Sequence, residues 1–273
     1  MNLDAKAPIG VFDSGIGGLT VAREIMRNLP MEKIVYFGDT ARVPYGSKSK
    51  ETIVRYCKEI VEFLQKQKVK AIVIACNTAS ALALEELEQE IDIPIIGVVK
   101  PGAAVAARET TGKRVGVIAT TATIKSNLYT ELIQEIDPEI KVIGKPCPLF
   151  VPLVEEGWRK DPVTEIVARR YLKELQDENV DTLILGCTHY PLLRGMIRDI
   201  MGDDVHLVNP AYETSMVLKE LLREKNLLNP GTVAEEFPYQ FFVSDAAEKF
   251  TNFANTILPY AVERTQQVNL DEY

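Results

Sequence analysis

The sequence predicts an α/β protein of two similar, pseudo-symmetric domains with mainly parallel sheets and an active site in the cleft between them. The first reason is a repeat. Val69-Lys70-Ala71-Ile72-Val73-Ile74-Ala75-Cys76-Asn77-Thr78 and Val180-Asp181-Thr182-Leu183-Ile184-Leu185-Gly186-Cys187-Thr188-His189 lie 111 positions apart. Each runs from valine through apolar residues to a small residue, a cysteine and a polar pair. Such a run reads as a buried parallel strand, and it puts the cysteine at the strand's carboxyl end, where open α/β sheets bind ligands. The second reason is another matched pair. Ile9-Gly10-Val11-Phe12-Asp13-Ser14 and Val115-Gly116-Val117-Ile118-Ala119-Thr120 are both Gly-Val strands entering polar loops, with the glycines 106 positions apart. Duplication of one α/β unit explains both.

In chain order, the strand at Pro8–Phe12 ends at Asp13-Ser14-Gly15-Ile16-Gly17-Gly18, and Leu19, Ala22, Ile25 and Met26 follow at helical spacing. A dinucleotide fingerprint starting at Gly15 fails, because Thr20 stands where its last glycine belongs. Asp13 would also bring a carboxylate to the expected pyrophosphate position. The strand Lys33–Phe37 leads into a polar loop, Gly38 to Gly46, and a helix is expected over Ser49–Gln67. After the Cys76 strand come a helix at Ala79–Glu90, a strand at Pro94–Val99, and a crossover at Lys100-Pro101-Gly102. Beyond the Arg114–Ala119 strand, Ile140–Ile143 is a further strand and 147–158 a proline-punctuated loop. Asp161 caps a helix with Pro162 at its first position, which delivers the chain to the Cys187 strand. His206–Val208 is a strand, Glu213–Lys225 a helix, Tyr239–Val243 a strand and Ser244–Leu258 a helix. The tail holds no third cysteine strand, so it is expected to complete the first domain. The predicted domains are 1–99 with 210–273, and 100–209.

With 273 residues the chain is long enough for about two domains, each with its own core. Its 46% hydrophobic and 26% charged residues are ordinary for a globular protein, and the net charge of −8 speaks against a nucleic-acid surface or anionic lipid. No apolar run reaches the roughly 20 residues of a membrane span, and the first residues lack a signal-peptide core. A cytoplasmic protein is expected, with no membrane and no nucleic acid as partner. Four cysteines without a CxxC pair, and two histidines outside zinc-module spacing, predict free thiols and no metal. Cys57 and Cys147 read as inert buried thiols.

Two thiols facing one small substrate suit a particular chemistry. A thiolate on one face removes a proton from carbon and a thiol on the other face returns one, giving the mirror image. The reference thiol pKa, about 8.5, makes both forms accessible, and the pair should titrate as a coupled system. A helix N-terminus after each cysteine is expected to lower the thiol pKa further. Asp13 and His189 could orient a thiol or share its proton. In extended backbone, Cys187 and His189 would point the same way. Ser14, Asn77, Thr78, Thr120, Thr121 and Thr188 could hold carboxylates and an ammonium without any cofactor, and no lysine sits in a recognisable pyridoxal-phosphate setting. A non-catalytic solute-binding module and a thiol redox enzyme are the competing classes. Missing export signals and the cysteine duplication count against the first, and the absence of CxxC against the second.

Asp13-Ser14-Gly15-Ile16-Gly17-Gly18, Val43-Pro44-Tyr45-Gly46, Ala75-Cys76-Asn77-Thr78 and Gly186-Cys187-Thr188-His189-Tyr190-Pro191 together resemble the glutamate racemase family of the aspartate/glutamate racemase superfamily. The resemblance covers essentially the whole chain, with the motifs in order. It implies a cofactor-independent isomerase that interconverts L- and D-glutamate and supplies D-glutamate for peptidoglycan, its substrate a small molecule; a homodimer is compatible with it. It further implies that Cys76 acts on the D-isomer assisted by Asp13, and Cys187 on the L-isomer assisted by His189. Carried over as substrate contacts are Ser14, Tyr45, Gly46, Asn77, Thr78, Thr120, Thr123 and Thr188. Glu155, grouped with the catalytic residues, and Asp39 match further acidic positions. Ala119-Thr120-Thr121-Ala122-Thr123 departs from the family's Gly-Thr-Pro-Gly-Thr, which affects the local loop shape. An aspartate racemase would differ only in how the far carboxylate is held.

Overall fold

A computed structural model describes residues 3–231 and 239–270. Positions 1–2, 232–238 and 271–273, all assigned above to the first domain, lie outside the described residues. The elements in order are β1 (Ile9–Asp13), α1 (Leu19–Asn28), β2 (Ile34–Gly38), α2 (Lys50–Lys66), β3 (Ala71–Ile74), α3 (Asn77–Glu90), β4 (Ile95–Gly97) and α4 (Val99–Glu109). Then follow β5 (Arg114–Ala119), α5 (Thr121–Lys125), α6 (Leu128–Ile136), β6 (Lys141–Pro146), α7 (Phe150–Glu155), α8 (Pro162–Asp177), β7 (Thr182–Gly186), α9 (Arg194–Met201) and β8 (His206–Val208). The chain closes with α10 (Pro210–Glu224), β9 (Tyr239–Val243), α11 (Ala247–Ala254) and β10 (Thr265–Gln267). No helix among them is long and apolar enough to cross a membrane.

Two sheets result, and every strand pair in them is parallel. One has the order β10-β9-β2-β1-β3-β4 and the other β6-β5-β7-β8. The block β2-β1-β3-β4 therefore recurs as β6-β5-β7-β8, which is the duplication written in topology. The register reconciles the two sequence offsets. Gly10 pairs with Ile72 and Gly116 with Leu183, so a shift of 106 on one strand matches a shift of 111 on its neighbour. β1, β2, β3 and β7 are buried on both faces along their whole length, as sheets covered by helices on both sides require. β9 pairs along β2, and β10 pairs with β9.

Two segments differ from the expectation for one reason. Lys100-Pro101-Gly102 is no crossover but lies inside α4, and the proline-rich stretch after Cys147 contains α7. Pro101 and Pro152 are each the third residue of their helix, where the amide has no intrahelical acceptor and proline removes nothing. Gly102 stands in α4 because a Cβ there would come within 3.0 Å of Pro210, the first residue of α10. α6, α9 and β10 complete the fold without a sequence expectation behind them, and α5 stands where a polar loop was expected after Ala119. Asp161 does cap α8, its carboxylate accepting from Val163 N at 2.8 Å with Pro162 first in the helix.

A buried ion pair fastens the edge opposite the site. Lys70, fully buried ahead of β3, donates to Glu32 Oε2 at 2.5 Å and to the Ala5 carbonyl at 2.6 Å, and Glu32 also accepts from Asn229 N at 2.9 Å. Burial pulls the Lys70 pKa down against the stabilising carboxylate. Glu32→Gln would leave that ammonium without its counter-charge, so a loss of about 3–5 kcal/mol is expected. It should register as a melting temperature lower by at least about 6 °C; a shift below about 2 °C would show that the pair contributes little.

Candidate active site

The carboxyl ends of β1, β3, β5 and β7 open on a shared cleft of about 660 Å³ between the two units. Of the thirteen residues that the resemblance made catalytic or substrate-contacting, eleven line it: Ser14, Tyr45, Gly46, Cys76, Asn77, Thr78, Thr120, Glu155, Cys187, Thr188 and His189. Thr121 lines it as well. Asp13 and Thr123 sit behind the wall, with 0% and 1% of their surface exposed. Both thiols are nearly buried, and all four cysteines are free. Among the described residues no group of three or more His, Cys, Asp and Glu side chains could hold a metal ion.

On the first unit, Cys76 is the residue immediately before α3, and its thiol donates to Ser14 Oγ at 3.6 Å. Burial pushes this thiol up to about 12, helped by the Asp13 carboxylate and by Cys187; the Ala79 N–H and the Ser14 hydroxyl pull the other way. The expected lowering by a helix N-terminus is present at Ala79 but outweighed, because taking a thiolate out of water costs more than one backbone donor returns. Asp13 accepts from Gly15 N at 2.9 Å. Burial raises its pKa, against the opposing pull of His189 and of the Gly18 and Gly15 N–H groups. The donors that a dinucleotide loop would offer to phosphate thus serve this carboxylate.

On the second unit, β7 ends at Gly186 and the chain turns at once. His189 has helical backbone angles and leads into a 3-10 turn, Tyr190–Leu193. The extended geometry expected for Cys187-Thr188-His189 is absent, and no α-helix starts directly behind Cys187. The turn brings the two side chains together nonetheless, with Cys187 Sγ 3.9 Å from His189 Nδ1. Nε2 on the far side of the ring is 3.1 Å from Glu155 Oε1, and Glu155 is also 3.8 Å from Lys249 Nζ. Burial disfavours a charged imidazole, but the partners Cys187, Glu155 and Asp13 outweigh it and hold His189 up to about 10. Glu155 is itself partly buried, which would raise its pKa; His189 and Lys249 bring it below the usual carboxylate value. The arrangement suits a thiolate–imidazolium–carboxylate string, with one ring N–H aimed at sulfur and the other at oxygen.

Hydroxyls stitch the units together around the cleft. Thr188 Oγ1 donates to Asp13 Oδ1 at 3.5 Å, and Thr20 Oγ1 donates to the Thr188 carbonyl at 2.8 Å. Thr78 of α3 meets Thr120 and Thr123 of the second unit at 2.9 and 3.2 Å, and those two are 3.0 Å apart. Thr123 therefore braces its neighbours rather than facing the cleft. Tyr45 lines the cleft, while its hydroxyl donates to Asp39. Asp39 is fully buried and also takes Arg42 Nε at 2.7 Å and Ser244 Oγ at 2.9 Å. Its place is to anchor the Tyr45–Gly46 loop from behind.

Two further residues escaped the sequence reading. Tyr129 of α6 donates to Asn77 Oδ1 at 2.7 Å, which fixes the carboxamide so that its NH2 is left for the cleft. A buried tyrosine needs such a partner, but nothing in the sequence says which one. Lys125, at the end of α5, is the lysine among the cleft-lining residues.

Fold and cleft together define a class: duplicated parallel α/β units presenting one thiol each, from equivalent strand ends, to a shared cleft. The chain belongs to the Asp/Glu/hydantoin racemase family, whose model matches residues 9–212, and within it to the glutamate racemases. It is 50% identical to the glutamate racemase of Geobacter metallireducens over 263 residues, 96% of this chain and 97% of that one. Among solved structures it is similar to glutamate racemase from Francisella tularensis in complex with D-glutamate, with a TM-score of 0.91 and 43% identity, covering 98% of this chain and 100% of the other. The Thermus thermophilus glutamate racemase in complex with beta-chloro-D-alanine gives 0.89 and 43%, covering 99% and 100%.

Proposed function

We propose that the chain interconverts L- and D-glutamate by moving a proton between its α-carbon and two thiols, the units 1–99 with 210–273 and 100–209 acting as lobes around the substrate. The observation that carries this reading is the pair Cys76 and Cys187, which enter one cleft from equivalent positions of a duplicated unit. In the L-to-D direction the Cys187 thiolate, beside the His189 imidazolium, takes the α-proton. The electron pair left on carbon takes a proton from the Cys76 thiol on the opposite face. The reverse reaction starts with Cys76 as thiolate and Cys187 as thiol, and solvent exchange restores the pair between turnovers. Ser14, Asn77, Thr78, Thr120, Thr188 and the Tyr45–Gly46 backbone supply donors for the two carboxylates. The D-glutamate formed serves peptidoglycan synthesis, and the reading places the enzyme in the cytoplasm.

The test is incubation with L-glutamate in heavy water, without added cofactor, following optical rotation and α-deuterium together. Loss of rotation with deuterium entering the α-position supports the proposal. Neither signal with glutamate, or both with aspartate instead, overturns it.

The site also predicts the outcome of filling it from behind. A Cβ on Gly17 would lie 2.3 Å from Thr188 Oγ1 and 2.5 Å from Cε1 and Nδ1 of the His189 ring. Thr188 is tied to Asp13, and the ring is held between Cys187 and Glu155, so neither yields without losing its alignment. Gly17→Ala is expected to reduce racemisation about 10²-fold while the far-ultraviolet circular dichroism stays native. Activity within threefold of the parent would show that ring placement is not limiting.

A further inference from the structure

Beside the cleft mouth lies a second, smaller cavity of about 270 Å³, lined by Gly46, Ser47, Lys48, Lys50, Leu82, Thr121, Ala122, Lys125 and Ser126. Gly46, Ser47, Thr121 and Lys125 also line the cleft itself, so the two spaces meet. The lining holds three lysines and no acid. Lys50 is paired with Glu86 at 3.1 Å, and Lys48 lies 6.0 Å from the Tyr56 ring. Lys125 is exposed and has no ion-pair partner among the described residues. The carboxylate of the main cleft, Glu155, is already engaged by His189 and Lys249.

This local excess of positive charge sits on a chain whose net charge is −8. An anion approaching at random meets repulsion. At physiological salt, however, charges beyond about 8 Å are screened, and the groups at the mouth set the potential a ligand feels on entry. Glutamate, with two carboxylates and one ammonium, enters as an anion. A neutral amino acid, with no net charge, is drawn far less strongly by a lone cation.

We propose that Lys125, with Lys48 behind it, forms an anion-capture subsite at the cleft mouth that draws in dicarboxylic amino acids and discriminates against neutral ones. The inference rests on the glutamate reading above and adds how that substrate class is selected before any proton moves. Lys125 reaches the mouth from the second unit and Lys48 from the first, so the subsite spans the seam and is complete only when the units are close together. The flexible lysine stem lets the ammonium follow a carboxylate inward without a fixed geometry.

The experiment compares the full chain with Lys125→Gln and Lys125→Glu at about 0.02 M and about 0.3 M ionic strength. Two quantities are read: the calorimetric affinity for glutarate, a dicarboxylate that cannot racemise, and KM and kcat for L-glutamate. At low salt, glutarate binding and KM should each weaken about fivefold in the Gln variant, the effect of one unit charge near contact in water. The Glu variant should lose more, with the loss falling in KM rather than kcat and clearly smaller at high salt. Unchanged glutarate affinity in both variants overturns the proposal, as does a loss that is the same at both salts or that falls in kcat alone. Salt-dependent glutarate binding that requires Lys125, in a wild-type protein that fails to racemise glutamate, would uphold the subsite and remove the function proposed above.

Discussion

Cys76→Ala and Cys187→Ala are each expected to lower glutamate racemisation at least about 10²-fold in both directions, the lower range for losing a positioned acid or base. The loss must be bilateral. Every turnover uses one sulfur to remove the proton and the other to return one, whichever isomer is supplied. Exchange without inversion separates the two roles. In Cys76→Ala, the Cys187 thiolate with His189 beside it still reaches the α-proton of L-glutamate. That isomer should then wash deuterium in slowly while keeping its configuration, and D-glutamate should not. Cys187→Ala should show the converse. The substitutions themselves are mild, since each removes one buried sulfur at a position outside the helices and strands. Near-full racemisation in either variant refutes the two-thiol proposal, and exchange of the same isomer in both refutes the facing arrangement.

The sequence carried more of this site than of the scaffold around it, for a physical reason. A parallel strand buried on both faces must be continuously apolar, so β3 and β7 announce themselves, and the cysteine ending each is legible from spacing alone. The matching of Gly10 to Ile72 and of Gly116 to Leu183 needed no more than two short repeats. What stayed hidden depends on tertiary contact. Pro101 and Pro152 read as helix breakers because a proline's cost depends on its position within a helix turn, and that start point was not visible. Tyr129 lies 52 residues from Asn77 and meets it only through packing of the second unit against the first. Thr123 matched a family motif, and its burial against Thr78 and Thr120 is a matter of packing that no motif reports. The Cys76 thiol was expected to be acidified by the helix behind it; burial, which no local pattern reports, reverses the direction.

His189→Asn should cost at least about 10²-fold in turnover, and its cause can be read in the free enzyme. The ring lies 3.9 Å from Cys187 Sγ and 3.1 Å from Glu155 Oε1. Burial alone would favour the neutral ring, but these partners favour the charged one and raise its pKa to about 10. A raised pKa means the proton stays through neutral pH and leaves only as pH climbs through about 10. Across the working range the imidazolium is therefore in place to balance a thiolate at Cys187. Rate profiles are a poor gauge of this, because the substrate's own ammonium titrates in the alkaline range. Profiles of kcat/KM must also coincide for the two isomers, whose equilibrium constant is one. Proton NMR of the unliganded enzyme avoids both problems: the chain has two histidines, and the variant assigns the His189 signal by its disappearance. The expected result is a ring resonance that holds its position through neutral pH and moves only near pH 10. A ring titrating near the reference value, about 6.5, would mean a neutral imidazole at working pH, and Cys187 would have to act without a paired cation. Glu155→Gln gives the intermediate case. It keeps a hydrogen-bonding partner for Nε2 but removes the charge, so the His189 titration should move down in pH while the Cys187 contact remains.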